Sequence, residues 1–224
     1  MSGGRSDKRR AILDGALTEF GRDGYARASI DAIAAAAGVS TRTIYAHFGN
    51  KAGLFESVIQ ESATRVADTQ IAIVERHLGK VVHLEADLEA FGLELTEPMT
   101  GFRDHFSLVR HVNADLDHIP PAAIEAWQDA GPRRVVGALA DRLRQLADRG
   151  LLALGVPAEN DPDAAAKLAA SHLMLLVQGA VPFHHGVGAN REPDRESMVQ
   201  AGVRVFLRGY LPAPGSGSRR PAAG

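Results

Sequence analysis

A chain of 224 residues with 45% apolar and 23% charged side chains is long enough for one large domain or two modest ones with real cores. The absence of cysteine excludes disulfide frameworks and thiolate chemistry, and a net charge of −2 gives no strong overall pull on a polyanion. The densest apolar run, Leu173–Val177, falls far short of the ~20 residues of a membrane span, and the opening MSGGRSDKRR lacks the apolar core of a secretory signal, so a cytoplasmic chain with no membrane partner is expected.

Helical periodicity runs nearly throughout and no alternating strand stands out, which predicts an all-α fold. Leu13, Leu17 and Phe20, with Ala16 beside them, stripe a first helix that Gly21 and Gly24 are expected to stop. Arg5, Lys8, Arg9 and Arg10 precede that stripe, either as an arm for phosphate or minor groove or as an ordinary solvated terminus. Ser29 caps a second helix, with Ile30, Ile33, Ala34 and Ala37 inward, and Gly38 ends it. Ser40 caps a third helix anchored by Ile44 and Phe48, and Asn50 caps a fourth that turns Leu54, Phe55 and Val58 inward and runs into the seventies. Two short helices about a glycine-bearing turn match helix-turn-helix geometry, in which the second helix enters the DNA major groove.

Beyond residue 80 the helices lengthen. Leu84, Leu88, Phe91 and Leu95 form one stripe, and a helix over about 102–116 follows. Segments near 121–130 and 132–149 are parted by Gly131-Pro132, and helices near 162–181 and 194–209 complete the fold. The tail PAPGSGSRRPAAG has linker composition and is expected to be disordered. In the last two helices, leucines at 168, 173, 175 and 176 spread around much of one circumference, and Val199, Val203, Phe206 and Tyr210 stripe the other. That is more apolar surface than one core face needs, and a two-fold homodimer is the simplest way to bury it. The expected interface is Leu168, Leu173, Leu176, Val199, Val203, Phe206 and Tyr210.

The stretch GVSTRTIYAHFGNKAGLF, 38–55, concentrates hydrogen-bonding side chains around two apolar anchors. Thr41, Arg42 and Thr43 fall in the first turn after the Ser40 cap, where free N–H groups and the helix dipole favour an anion. Arg42 has the fork geometry that reads guanine; Thr43 and Tyr45 offer hydroxyls, and His47 and Lys51 offer cationic or donor groups further on. Each also has a plain structural reading: Tyr45 packing on helix one, His47 in a turn, Lys51 as a solvated cap residue, Ser29 as an N-cap alone.

Across Ile12–Phe55 the order, spacing and residue type resemble the tetracycline-repressor (TetR) family of bacterial regulators. The helix–Gly–Tyr break, the AGVS turn and the T-I-Y-x-H-F-x-N-K stretch carry the resemblance. Asp31 departs from it, standing where some relatives place a base or a hydroxyl. The resemblance implies a helix-turn-helix DNA-binding domain over 1–55, a larger helical effector-binding and dimerisation domain over 56–211, and a tail over 212–224. It implies that Tyr45, His47 and Lys51 hold the phosphate backbone, that Thr41, Arg42 and Thr43 lie near the bases, and that Ser29 begins helix two beside a phosphate. The function it implies is a non-enzymatic regulator, with no catalytic residues: a homodimeric repressor on a palindromic double-stranded DNA operator, released by a small hydrophobic or aromatic effector. An activator on the same fold, or an α-helical enzyme or metal-binding protein, is the alternative.

No motif marks the effector site. Phe91, Phe102, Phe106, Trp127 and Met174 are its candidate walls, with Met99 and Phe183, and His105, His111 and Gln178 its candidate polar groups, although each is also an ordinary core choice. His111, Asp115 and His118 share one face if a single helix carries them, but without a compact metal signature no metal site is assigned, and no cofactor beyond the unknown effector is expected. Glu85 and Glu89, one turn apart, read as a solvated face.

Overall fold

A computed structural model describes residues 3–97, 100–114, 116–155, 161–178 and 194–212. Asp115, Met99, Phe183, the His184-His185 pair and the tail from 213 onward lie outside these. Among the described residues ten α-helices follow in chain order: α1 Gly3–Arg27, α2 Ile30–Ala37, α3 Thr41–Phe48, α4 Lys51–Leu78, α5 Leu84–Leu95, α6 Arg103–Ala114, α7 Pro121–Ala130, α8 Pro132–Asp148, α9 Pro162–Gln178 and α10 Arg195–Tyr210. Short 3₁₀ turns at Thr100–Phe102 and Leu116–His118 flank α6, and the described residues contain no strand. The fold is all-α, and no described helix is long and apolar enough to cross a membrane.

The chain divides into two compact units, Met1–Thr69 with Pro98–Val135, and Gln70–Glu97 with Val136–Gly224. Helices α4 and α8 each begin in the first and end in the second.

In the first unit, α1, α2, α3, the start of α4, α6 and α7 close around Ile12, Phe20, Ile33, Ile44, Phe55 and Leu108. Phe20 and Phe55 meet edge to face at 5.0 Å, and Tyr25 closes on Phe55 at 4.8 Å, a geometry that aromatic quadrupoles favour. Two expectations for α1 are corrected. The helix runs through Gly21 and departs from helical geometry only at Gly24, where φ is +76°. Gly21 is buried because α6 passes there; a Cβ would stand 3.0 Å from the Asp104 carbonyl oxygen. The basic residues at 5, 8, 9 and 10 are not a separate arm but the first turns of α1, with Arg9 3.4 Å from Glu61 and over the Phe48 ring, and Arg10 beside Asp14.

The second unit packs α5, the later turns of α8, α9 and α10 around Phe91, Leu139, Leu143, Leu173, Val203 and Phe206. Helix α5 meets its neighbours closely at Gly92, where a Cβ would fall 2.6 Å from Val199. Helix α10 meets α9 at Gly202, 2.5 Å from the Leu176 carbonyl oxygen by the same measure. Small residues at such crossings let the apolar stripes on either side interlock.

Candidate nucleic-acid interface

Helix α2 ends on Gly38, which adopts φ +63° and gives its N–H to the Ala34 and Ala35 carbonyls, while Val39 N–H reaches Ala34 O at 3.0 Å. This left-handed stop is one a glycine makes without a Cβ penalty. Two residues later Ser40 turns the chain into α3: its Oγ accepts from Thr43 N at 3.2 Å and lies 2.8 Å from Thr43 Oγ1. Ser29 caps α2 through Ala32 N at 3.4 Å, and Asn50 caps α4 through Gly53 N at 2.9 Å. The three predicted caps are therefore in place.

Within α3 only Ile44 is buried, and it anchors the helix on the first unit's core. Phe48 is half-buried against the same core. Arg42 and Tyr45 are exposed, Tyr45 at 48%, so neither side chain is consumed by internal packing. Thr41 and Thr43 are half-buried at the helix start, and His47 is half-buried with its ring 6.0 Å from Phe48. Ser29 is exposed but engaged as a cap.

Lys51 has a second role that sequence spacing did not reveal. Its Nζ donates to the Ala26 carbonyl at 3.1 Å and sits 5.2 Å from the centre of the Tyr25 ring. Burial there lowers its pKa below the usual lysine value. The ammonium thus ties the start of α4 to the end of α1, and since a lysine has three donors, it keeps others for an outside acceptor.

The candidate effector residues fall in both units. Phe91 is fully buried in the second unit's core, and Met174 packs against it from α9, whose last residue is Gln178. Phe102, His105, Phe106, His111 and Trp127 belong to the first unit. There Phe102 and His105 share a cleft of about 280 Å³, and His111 lines another of about 310 Å³ beside Asp23 and Tyr25. Trp127 packs on the core, and Phe106 sits edge-on to His105 at 5.3 Å. His105 is 5% exposed, its Nδ1 2.9 Å from Ser62 Oγ; burial first, and the Arg65 charge second, push its pKa down to about 4. His111 and His118 do not share a helical face: α6 stops at Ala114, and His118 stands on the following 3₁₀ turn.

The candidate interface residues need a similar correction. Leu173, Val199, Val203 and Phe206 are at most 1% exposed inside the second unit's own core, so they are not free to meet a second chain. Tyr210 stacks on Phe206 at 4.6 Å and places its hydroxyl 2.7 Å from His172 Nδ1. Leu176 is half-buried against the same core. Among the described residues of α9 and α10, the large apolar side chains left outside are Leu168 at 52% and Leu175 at 71% on α9, and Val205 at 55% on α10. Leucines on every side of α9 gave the sequence no way to tell the inner ones from the outer.

Residues 12–58 match the model of the bacterial regulatory proteins of the tetR family, and residues 86–212 match that of the AefR-like transcriptional repressor C-terminal domain. The HTH-type transcriptional repressor SCO4008 of Streptomyces coelicolor is 45% identical over 56 residues, covering 25% of this chain and 29% of that protein. The repressor AcnR of Corynebacterium efficiens is 38% identical over 63 residues, covering 28% and 34%. These two likenesses therefore span about a third or less of the relatives' length. Among solved structures, a TetR-family transcriptional regulator from Mesorhizobium loti superposes with a TM-score of 0.73 at 28% identity, over 92% of this chain and 98% of that one. The flavonoid-responsive regulator FrrA does so at 0.59 and 26%, over 92% and 98%.

Proposed function

We propose, from the premise that this chain belongs to the TetR family of bacterial transcriptional regulators, that it is a homodimeric repressor which holds a palindromic DNA operator until a small hydrophobic or aromatic molecule releases it. One observation carries the DNA-binding part of this reading. An eight-residue helix, set off from α2 by Gly38 and capped by Ser40, buries Ile44 and leaves Arg42 and Tyr45 outward. A packing helix has no use for that face; a major groove does.

In this reading Arg42 reads a base edge beside Thr41 and Thr43, while Tyr45, His47 and Lys51 hold phosphates and the α2 start at Ser29 meets the backbone. The DNA-binding domain is residues 1–55, and residues 56–211 hold the effector and the partner subunit. Recognition helices of a dimer meet half-sites ~34–36 Å apart or a multiple of that. The effector acts by binding one arrangement of the dimer more tightly than the other. Helix α4, which belongs to both units, is the covalent path for that change. The repressor names of SCO4008 and AcnR support the sign of regulation, and the flavonoid response of FrrA supports an aromatic effector. The cytoplasm, where the operator is, is the compartment.

The test is selection from a random double-stranded DNA pool by the purified full chain at near-physiological salt. Enrichment of a palindrome supports the reading. No enrichment by a folded dimer, before and after refolding to strip bound ligand, would overturn it.

A further inference from the structure

We propose that the cleft where α6 begins beside α1 and α4 is a binding site for a small organic acid that carries a carboxylate at one end and a hydroxyl at the other, on a short apolar body. The cleft lies wholly within the first unit, with Leu17 from α1, Arg65 from α4, and Gly101, Phe102, Arg103 and His105 from the α6 entry around about 280 Å³. That volume sits just under the ~300–1,000 Å³ of drug-sized sites, which limits the occupant to a single ring or a short chain.

The lining specifies both ends of the molecule. Two arginines, Arg65 and Arg103, line one space. Arg65 has only a long 3.9 Å pairing with Asp14, and Arg103 has no ion-pair partner among the described residues. The one carboxylate in the lining, Asp104, is turned to Thr18 Oγ1 at 2.8 Å. The charge balance of the cleft therefore favours an anion, and arginine forks match a carboxylate.

His105 sets the other end. Ser62 Oγ donates to the Ile59 carbonyl at 3.2 Å, and a hydroxyl has one proton to give. Assigning that proton to Ile59 makes the 2.9 Å contact between Ser62 Oγ and His105 Nδ1 a bond donated by the histidine. The imidazole is neutral at pH 7, in keeping with a pKa near 4, so its Nε2 bears a lone pair. That nitrogen has no protein partner among the described residues and is not fully buried, and His105 is part of the cleft lining. A lone pair in a nearly buried position wants a donor, which a ligand hydroxyl supplies. Leu17 and Phe102 give the apolar body its walls.

This inference rests on the effector part of the proposed function and gives that effector a chemistry. It is tested without DNA, so its failure leaves operator binding standing, and a failed operator selection leaves it intact. The full chain, labelled with ¹⁵N-histidine, is titrated with 4-hydroxybenzoate. The expected result is a saturable shift of His105 Nε2 with Nδ1 protonated, binding at least tenfold weaker in Arg103→Gln, several-fold weaker for benzoate, and absent for methyl 4-hydroxybenzoate. Arg103 is exposed, so its variant keeps the wild-type fold, and helix content by circular dichroism checks this. Arg65→Gln provides an independent second loss. No shift at His105, equal binding of acid and methyl ester, or unchanged affinity in both arginine variants would overturn the assignment.

Discussion

Helices α3 and α9 each face outward with side chains that their own fold does not need, but of opposite chemistry. Helix α3 buries a single residue, Ile44, and shows Arg42 and Tyr45 to the outside. Helix α9 buries six, Ala165, Ala166, Ala169, Ala170, Leu173 and Val177, yet still shows Leu168 and Leu175. Exposed hydrogen-bonding groups on a pinned short helix are stable in water and gain by exchanging water for phosphate and base edges. Exposed leucines at i and i+7 gain nothing from water and are satisfied only by another apolar surface. The difference teaches that an outer face, not the core beneath it, states the chemistry of the partner.

The largest effect is expected where that reading of α9 is tested. Leu168→Asp with Leu175→Asp should dissociate the proposed dimer by orders of magnitude in Kd, since an unpaired carboxylate inside an apolar interface costs several kcal/mol. Helix content should survive, because both side chains are exposed in the protomer. Sedimentation of the variant measures the outcome; an unchanged dimer would place the interface elsewhere.

Next is a contrast between the two units. His105, in the first, is the one histidine classed as buried among the described residues. Its folded pKa of about 4 lies below the ordinary histidine value of 6.5, pushed down by burial and then by the Arg65 charge, so the unfolded chain binds the extra proton between those pH values. The stability from keeping this ring neutral is therefore complete above pH 6.5 and lost as pH falls toward 4, an amount of about 3 kcal/mol. Acid should loosen the first unit first, seen as amide exchange in α1 and α6 between pH 6.5 and 4. His105→Gln should flatten that slope; an identical slope would assign it to other groups.

Much of this molecule was legible in the sequence. Periodicity and caps placed the helices, because stripes such as Leu84, Leu88, Phe91 and Leu95 and the caps Ser29, Ser40 and Asn50 are local signals. What stayed hidden depended on contacts between distant residues. Gly21 looks like a helix stop until α6 is seen against it. Lys51 looks solvated until its ammonium is found on Ala26, twenty-five positions away. The spacing of Glu85 and Glu89 says nothing of Asp87 between them, whose carboxylate accepts from Val82 and His83 N–H and holds the entry to α5. The inner and outer leucines of α9 could not be separated without α5 and α10 in place. The cleft at α6 was invisible for the same reason, since its lining comes from three separate parts of the chain.

In the proposed reading of α3 and its flank, Arg42 and Lys51 separate base reading from backbone holding. Arg42→Ala should cost ~1–3 kcal/mol on the selected operator and relax preference at one base position. Lys51→Ala should weaken all sequences alike and reduce the salt slope by about 1. Because Lys51 also ties α4 to the end of α1, its variant should lose some thermal stability, whereas Arg42→Ala should not. Equal specificity in both variants, measured on a panel of single-base operator changes, would remove the distinction.

The smallest effect is the most local. Ser40 holds both Thr43 N–H and Thr43 Oγ1, so it fixes the first turn of α3 and the direction of the threonine hydroxyl at once. Ser40→Ala removes the cap and should cost ~1 kcal/mol of stability. It also releases the Thr43 hydroxyl for water or phosphate, so operator affinity should fall by less than stability does. Ser40→Gly keeps the backbone turn with a loss of only a few tenths of a kcal/mol, because glycine is tolerated at an N-cap. If neither substitution destabilises, the side-chain bond contributes nothing and the turn is held by Gly38 and Ile44 alone. The corresponding cap of α9, where Asp161 accepts from Asp163 and Ala164 N–H, gives the control. Asp161→Ala should cost a similar amount of stability while leaving DNA affinity unchanged, because capping strength is common to both helices and only α3 is proposed to turn its capped end to a polyanion.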